Sequence, residues 1–430
     1  MSALRDIVDD LVSRFGARVG TAENGVVVAA VIASTFFIGF GGGVIYPILP
    51  NLGEVLGISS FLVGLILSAN RFSRLFANAP AGALVDRIGT RAPFVVGMVV
   101  QGVATLGYVV AMVAPFPEGW FMLARILWGV GSALVFATAY TIASDVSDAG
   151  SRGANMGLIR GGVLFGFPTG VVVGGVVSEL ASTVTAFAVA SAFAFLASVV
   201  AYATVPETHV DPGESTTAKP WDVDTSVPAL TVGVVNFAVL FVYIGALFAT
   251  LVLFLAENTI TVFGFDAQGS SGIFMGVTVV AAGLSMYAGG YVSDHRESRV
   301  PVLLTFLAAT SLGFLGLAVA DSVATLAVAC LCVGVGQGGT SGPLMALLAD
   351  LVPEDRMGRA VGTNNVFGDI GGGFGPIVTL PLVDVVGFTP IYVACAALPA
   401  AAALVLLAGV RRETGQFVPM VGSRRGTDRQ

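Results

Sequence analysis

Long apolar segments recur along the whole chain, each of them uninterrupted and separated from the next by a short polar connection. A run of about 20 apolar residues spans the hydrocarbon core of a bilayer as an α-helix, and the chain contains about twelve such runs. Because the runs are continuous and do not alternate with period two, the pattern excludes a transmembrane β-barrel. Only 11% of the residues are charged, far below the share in a soluble domain. The sequence therefore predicts an all-α integral membrane protein with 12 transmembrane helices.

The predicted membrane segments are 25–47, 59–81, 92–114, 119–143, 154–177, 183–205, 227–255, 269–289, 300–320, 323–349, 358–382 and 389–410. With the N-terminus inside, every loop arginine and the single lysine fall on one side, whereas the opposite loops carry only acidic charges. The positive-inside rule then predicts a multi-pass protein of the plasma membrane with both termini cytoplasmic. The predicted parts are an amphipathic segment at 1–24, six-helix bundles at 25–205 and 227–410, a polar cytoplasmic linker at 206–226 and a cytoplasmic tail at 411–430.

The two predicted bundles resemble each other in sequence. The turn after the second segment reads GALVDRIGTR from Gly82 to Arg91, and the turn after the eighth reads GYVSDHR from Gly290 to Arg296. Glycine and aspartate keep the same spacing in both turns, at an offset of 208 residues. The fourth and tenth segments both contain Gly-Val-Gly and both end in Ala-x-Asp, at Asp145 and Asp350. The halves are therefore predicted to be structural repeats.

The segment Gly82–Arg91 resembles the signature that the major facilitator superfamily carries between its second and third helices, and Arg125–Gly131 resembles the fourth-helix motif of that superfamily. The resemblance covers residues 25–410 and implies two pseudo-symmetric six-helix bundles around a cavity that opens alternately to each side. It also implies a latch that holds the cytoplasmic gate shut. The latch residues are Gly82, Asp86, Arg87, Gly89, Arg91 and Asp145, with Asp294 in a second copy where His295 replaces the first arginine.

The latch has a physical interpretation. Gly82 and Gly89 permit a tight turn in which Asp86 faces the positive N-terminus of a neighbouring helix, predicted to be the eleventh. Arg87 and Arg91 are then within reach of Asp145 and of nearby carbonyl groups. The alternative is that these charges only set the topology of the chain.

Ionisable residues at membrane depth are costly and suggest function. Asp369 is the deepest carboxylate, and it lies about 15 Å from the cytoplasmic end of its helix, at the same depth as Arg71. We therefore predict an ion pair between Asp369 and Arg71, or Arg74, that forms and breaks during transport; an unpaired carboxyl at this depth would take up a proton. The resemblance also ties Arg125 to proton coupling. The alternatives are a static tie between helices for Asp369 and a structural pairing for Arg125.

Other polar side chains lie on the four helices that line the cavity in the superfamily. The candidates for contact with a solute are Tyr46, Tyr140, Asn236, Tyr243 and Gln337. The fifth segment carries glycines at a strict four-residue spacing, from Gly162 to Gly174, which predicts close packing against the eighth segment. The Gly-Pro-x-x-Gly-Gly motif of drug antiporters is broken in this segment, so the motif does not establish antiport.

The sequence contains no nucleotide-binding loop, metal-ligand cluster or catalytic triad, so we expect neither a cofactor nor a metal nor enzymatic activity. The expected partners are a small solute, a coupling ion (H⁺ or Na⁺) and membrane lipid, without nucleic acid, and the expected state is a monomer. The leading hypothesis is a secondary transporter that exports its solute by proton-coupled antiport. The alternatives are a symporter for uptake of a sugar or organic acid and a non-transporting membrane sensor with the same fold.

Overall fold

A computed structural model describes residues 22–145, 152–208, 223–353 and 356–420 of the chain. Within these ranges the regular structure is helical apart from a single β-bridge between Val262 and Phe265. The predicted amphipathic segment, most of the linker and the end of the tail lie outside the described residues.

The first half of the chain forms seven helices in the described ranges. They are α1 (Ala22–Val44), α2 (Leu49–Leu56), α3 (Ser60–Ile88), α4 (Arg91–Val113), α5 (Pro117–Asp145), α6 (Arg152–Leu180) and α7 (Thr183–Thr204). The short helix α2 follows the break at Tyr46 and Pro47 and was not expected from the sequence.

The second half continues the pattern. It contains α8 (Val227–Leu240), a π-helical segment (Phe241–Leu247), α9 (Phe248–Glu257), α10 (Ala267–Asp294), α11 (Val300–Ala318), α12 (Val323–Leu351), α13 (Met357–Val386) and α14 (Phe388–Thr414). Eleven segments of the described chain are long and apolar enough to cross a membrane. The remaining long helix is α3, whose hydropathy is lowered by its four charged side chains.

The chain divides into two compact units, one formed by 1–45 with 73–220 and the other by 46–72 with 221–430. In the first unit α1 packs against α6 and α7, and α4 packs against α5 and α7. In the second unit α8 packs against α13 and α14, and α11 packs against α12 and α14. Each of these four pairings in the first unit therefore recurs between the helices at equivalent places in the second, so the predicted all-α fold with internal repeats is confirmed.

The glycine stripe of α6 packs against α1, not against the eighth membrane segment as expected. A methyl group built on Gly166 would overlap the carbonyl oxygen of Phe36, and one on Gly170 would overlap that of Phe40. Four-residue spacing keeps the glycines on one helix face, so the α1 backbone can approach α6 closely along several turns. The pattern predicted a close contact correctly, but a periodic pattern carries no information about the partner.

Candidate functional site

The second unit contains an ion pair between Asp369 of α13 and Arg71 of α3. Arg71 Nη1 lies 3.3 Å from Asp369 Oδ1, and the two side chains are only 11% and 12% exposed. Arg71 belongs to α3 and Asp369 to α13, so the pair joins two helices far apart in sequence. Arg74, the alternative partner in the prediction, lies one turn further along α3 and is half-buried.

The backbone of α13 shapes the surroundings of this pair. A methyl group built on Gly372 would lie 3.0 Å from Cζ of Arg71, so the guanidinium rests directly against the glycine. The Ser68 hydroxyl lies within hydrogen-bonding distance of the Gly373 carbonyl oxygen. One turn further, the Gly64 backbone approaches Pro376. The N-terminal half of α3 is therefore held to α13 by a charge, a hydroxyl and a close backbone contact within about two turns of each helix.

Arg125 is fully buried in the first unit, with 0% of its surface exposed. Its guanidinium carbon lies 6.0 Å from the centroid of the Trp128 ring, at the outer limit of a cation–π contact. Trp128 in turn covers the backbone of α1 at Gly42. A buried cation of this kind is costly unless its environment stabilises the charge. At the equivalent place in the repeat the chain carries Cys330, which is also fully buried.

Two of the predicted solute-contacting residues meet at one phenylalanine. The Tyr46 and Tyr243 rings both contact the Phe248 ring edge to face, with centroids 5.9 Å and 5.1 Å away and interplanar angles of 86° and 64°. Tyr243 lies on the π-helical segment, and such segments often occur at functional sites. In that segment the Gly245 carbonyl accepts a hydrogen bond from the Thr379 hydroxyl of α13. The result is an aromatic cluster of three rings in the second unit.

The remaining solute candidates are placed differently. Asn236 donates its amide N–H to the carbonyl oxygen of Asn364 at 2.9 Å, so this side chain links α8 to α13. The Gln337 side chain is half-buried on α12. The side chain of Tyr140 lies outside the described residues.

The signature segment does not form the tight turn that the sequence predicted. Helix α3 continues to Ile88, so Gly82, Asp86 and Arg87 lie on its last two turns, and the side chains of Asp86 and Arg87 are exposed. Within the signature segment, Gly89 alone has a positive φ, of 89°, and this residue ends the helix. A Cβ on Gly82 would meet nothing within 4 Å. The helix extends further than predicted because nothing between 82 and 88 forces the backbone out of the helical region.

Glu207, the third residue after α7, completes this turn. Glu207 accepts hydrogen bonds from the backbone N–H of Thr90, at 2.7 Å, and from the Thr90 hydroxyl. Partial burial raises the pKa of Glu207, but these hydrogen bonds outweigh it, so the pKa lies below its ordinary value. The carboxylate thereby caps the N-terminus of α4, where negative charge is favoured. A methyl group on Gly89 would overlap this carboxylate.

We expect the two signature glycines to respond in opposite ways to alanine. Gly89→Ala should destabilise the protein by about 1–2 kcal/mol, because alanine at a positive φ is strained and its methyl group displaces Glu207. Gly82→Ala should be neutral or stabilising by about 0.5–1 kcal/mol, because the site is helical and open. Thermal unfolding of the purified variants in one detergent measures both. Equal losses would contradict this assignment.

Arg91 and Asp145 are not brought together as the latch prediction expected. Arg91 donates to the carbonyl oxygen of Tyr202 at 2.7 Å, and its guanidinium carbon lies 4.9 Å from the centroid of the Tyr202 ring. Asp145 is exposed at the end of α5. The sequence predicted that Arg91 contacts a nearby carbonyl group, and it does so. The carbonyl belongs to α7.

The second copy of the signature forms the carboxylate contacts that were expected in the first. Arg299 donates to Asp294 Oδ1 at 2.9 Å, to the Ser293 hydroxyl and to Asp350. Partial burial lowers the pKa of Arg299, but the hydrogen bonds to Asp350 and Asp294 outweigh it and raise the pKa above its ordinary value. Arg299 and Asp350 occupy the places of Arg91 and Asp145 in the repeat. The contacts between arginine and aspartate are therefore present in the second copy, although its motif departs further from the superfamily signature than the first copy does.

Three contacts were missed from the sequence. Ser68 gave no signal, because a serine in an apolar helix most often bonds to its own backbone. Glu207 was treated as part of the polar linker, although an acidic residue beside a helix start is the expected cap. Arg299 lies just beyond the second copy of the signature, and no carboxylate partner was predicted for it. Among the described residues, no group of three or more His, Cys, Asp or Glu side chains is placed to hold a metal ion.

Long apolar helices that pair in the same way in two units, with ionisable residues buried among them, are features of a multi-pass membrane transport protein. The family model described as the Major Facilitator Superfamily matches residues 31–376. Multidrug resistance protein 1 of Bacillus subtilis is 25% identical over 381 residues, covering 87% of this chain and 95% of that protein. The multi-drug resistance efflux pump PmrA of Streptococcus pneumoniae is 26% identical over 373 residues, covering 84% and 90%.

A solved structure shares the fold. It is a bacterial homologue of the human lysosomal transporter Spinster, with a TM-score of 0.75 at 15% identity, and the match covers 91% of this chain and 98% of that one. Because the family model spans most of the sequence, the chain belongs to the Major Facilitator Superfamily. It is therefore a multi-pass membrane transporter and not an enzyme.

Proposed function

We propose that this transporter exports small organic compounds by alternating access, in exchange for protons. The observation that carries the proposal is the buried pair between Arg71 and Asp369, at 3.3 Å. A buried ion pair adds little net stability, but removing the charge of one partner leaves the other buried and uncompensated. Because protonation of Asp369 would remove one charge of the pair and leave the Arg71 charge uncompensated, the pair is suited to coupling transport to a proton.

The coupling step follows from these contacts. A proton on Asp369 neutralises the carboxylate and removes the partner of the Arg71 guanidinium. The N-terminal half of α3 then loses its charge contact with α13 and keeps uncharged ones, among them the Ser68 hydroxyl, the close backbone approach at Gly64 and the ring contact between Phe72 and Phe374. Loss of the charge contact favours separation of the two helices, and loss of the proton favours their return. Arg125 is a second candidate for coupling, because its charge is fully buried.

The solute class is inferred from the aromatic cluster of Tyr46, Tyr243 and Phe248 and from the names of the relatives. Three adjoining rings favour flat, apolar or amphipathic organic molecules. Two of the relatives are named for multidrug resistance. An organic compound of drug-like size is therefore the solute class that we propose.

We also propose the orientation and the cytoplasmic latch. Because the basic residues of the loops lie on one side, we propose that the protein lies in the plasma membrane with both termini in the cytoplasm. The latch residues Gly82, Asp86, Arg87, Gly89 and Arg91 would then act at the cytoplasmic side, together with Asp145 and with Asp294 of the second copy. The domain boundaries remain those drawn from the sequence, and the protein is proposed to act as a monomer.

Proteoliposomes with a controlled pH difference test the function. The purified protein should accumulate an amphipathic fluorescent dye when the vesicle interior is acidic, because outward proton flow then drives the dye inward in the antiport direction. Collapse of the gradient with a protonophore should stop accumulation but leave exchange of labelled for unlabelled dye. Accumulation only with the opposite gradient would indicate a symporter. A total lack of both accumulation and exchange across a compound library would favour the non-transporting sensor.

A further inference from the structure

The end of the predicted linker is fixed to the start of α13, the helix that carries Asp369. The backbone N–H of Asp224 donates to the Thr363 hydroxyl at 2.8 Å, and this hydroxyl lies 3.4 Å from the Asp224 carbonyl oxygen. Asp224 is 9% exposed and Thr363 is 1% exposed, so the contact is shielded from solvent. Both residues belong to the second unit. The chain just before α8 is therefore joined to α13 by a buried contact between residues 139 positions apart in sequence.

The carboxylate of Asp224 holds this end of the linker in place. Its Oδ1 atom accepts the backbone N–H of Ser226 at 2.8 Å, and its Oδ2 atom lies 3.9 Å from Arg356 Nε. Burial raises the pKa of Asp224, but hydrogen bonding and the charges of Arg356 and Arg359 outweigh it, so the pKa lies below its ordinary value. Asp224 therefore stays ionised near neutral pH and does not compete with Asp369 for a proton.

The part of α13 around Asp369 depends on contacts with its neighbours. Residues 368–375 include five glycines, and each glycine lowers helix propensity by about 1 kcal/mol relative to alanine. Such a segment keeps its place mainly through tertiary packing. Thr363 lies about 9 Å before Asp369 along the helix. The contact of Thr363 with the linker and the bond from Asn236 of α8 to the Asn364 carbonyl oxygen therefore fix α13 on the approach to Asp369.

We propose that Asp224 and Thr363 are positioning residues for the coupling step, because their contact fixes the start of α13 and so the place of Asp369 opposite Arg71. This inference rests on the proposed function, in which that pair responds to a proton. The pair is sensitive to small displacements, since its distance of 3.3 Å already lies at the long end of the range for a hydrogen bond. The end of the linker thereby contributes to coupling through the helix, without touching the pair.

Thr363→Val tests the contact, because valine has the shape of threonine but leaves the Asp224 N–H without its acceptor. In the full-length protein in detergent, the amides of 364–370 should exchange with deuterium about 3- to 10-fold faster, as expected for one lost buried hydrogen bond. Thr363→Ser keeps the hydroxyl and should restore the slow exchange. The matched control is Thr305→Val, an exposed threonine of α11 whose hydroxyl donates within its own helix. Unchanged exchange in Thr363→Val would overturn the proposal.

Transport in proteoliposomes separates positioning from stability. The ratio of proton-driven dye accumulation to dye exchange should fall at least about 2-fold in Thr363→Val and in Asp224→Asn, and it should recover in Thr363→Ser. Loss of folded protein lowers both activities together and leaves this ratio unchanged. A proportional fall in both would therefore contradict a positioning role, even if deuterium exchange is faster. Dye exchange without driven accumulation in the unaltered protein would instead refute the proposed proton coupling, whereas deuterium exchange tests the linker contact in either case.

Discussion

We expect Asp369→Asn to abolish proton-driven transport to the level of protein-free liposomes while exchange of solute across the membrane continues. Asparagine has the shape of the aspartate but neither takes up a proton nor carries a charge, so the step that links Arg71 to proton movement is lost. Exchange of labelled for unlabelled solute uses only binding of the solute and movement of the solute-loaded carrier, so it does not need that step. The measurement is dye accumulation under a pH difference, compared with counterflow of labelled dye without one.

The same helix offers a control for this variant. Asp384→Asn removes an exposed carboxylate near the C-terminal end of α13 and should leave both activities unchanged. Asp369→Asn that still accumulates dye would show that the proton binds elsewhere, with Arg125 and its surroundings as the next place to look.

A milder perturbation addresses the geometry of the pair. Gly372→Ala places a methyl group 3.0 Å from Cζ of Arg71, so the guanidinium must shift and the distance to Asp369 changes. Driven transport should fall more than exchange. Gly362→Ala, on the same helix with nothing within 4 Å of its Cβ, should transport like the unaltered protein. Equal effects of the two variants would indicate a general loss of helix flexibility instead of a change at the pair.

We expect Gly166→Ala to destabilise the protein by about 1–3 kcal/mol, which is the usual cost of inserting a methyl group into a close-packed contact. The new methyl group would overlap the carbonyl oxygen of Phe36, and neither backbone can yield without separating α1 from α6. Combining it with Gly170→Ala, which meets Phe40 one turn further on, should lower the yield of folded protein sharply. Thermal unfolding in detergent and the amount of monodisperse protein after purification are the measurements.

Gly161→Ala is the matched control, because a Cβ at this neighbouring position meets nothing within 4 Å. Alanine is a better helix former than glycine, so this variant should be as stable as the unaltered protein or slightly more stable. If Gly166→Ala is tolerated as well as Gly161→Ala, the packing of α6 against α1 is looser than the close approach of their backbones indicates.

The ion pair shows where prediction from sequence reached its limit. Helix direction and rise per residue are local properties, so the depth of Asp369 and of Arg71 followed from counting along each helix. The choice between Arg71 and Arg74 did not, because the two arginines are about one turn apart and either could face α13 after a modest rotation of α3. The observed 3.3 Å contact depends on the close approach of Gly64, Ser68 and Gly372, which is a property of two packed helices.

The signature turn was also predicted only in part from the sequence. Gly89 was predicted to permit a turn, and it has the positive φ expected of a glycine in that role. The role of Gly82 was overestimated, because a glycine in a motif is compatible with an ordinary helix as well as with a turn. The partner of the turn, Glu207, is 117 residues away from Thr90 in the chain, and no local pattern could connect them.

By itself, the sequence determined that this protein is a helical membrane protein with two related halves, because the length and continuity of apolar runs and the spacing of motifs are read along one chain. The tertiary structure alone decided that the glycines of α6 face α1, that Arg299 and not Arg91 pairs with a carboxylate at the end of a long helix, and that Tyr46 and Tyr243 share Phe248. In lipid every helix satisfies its own backbone hydrogen bonds, so each span forms independently of its neighbours. Which faces then meet depends on shape and charge contributed by distant segments.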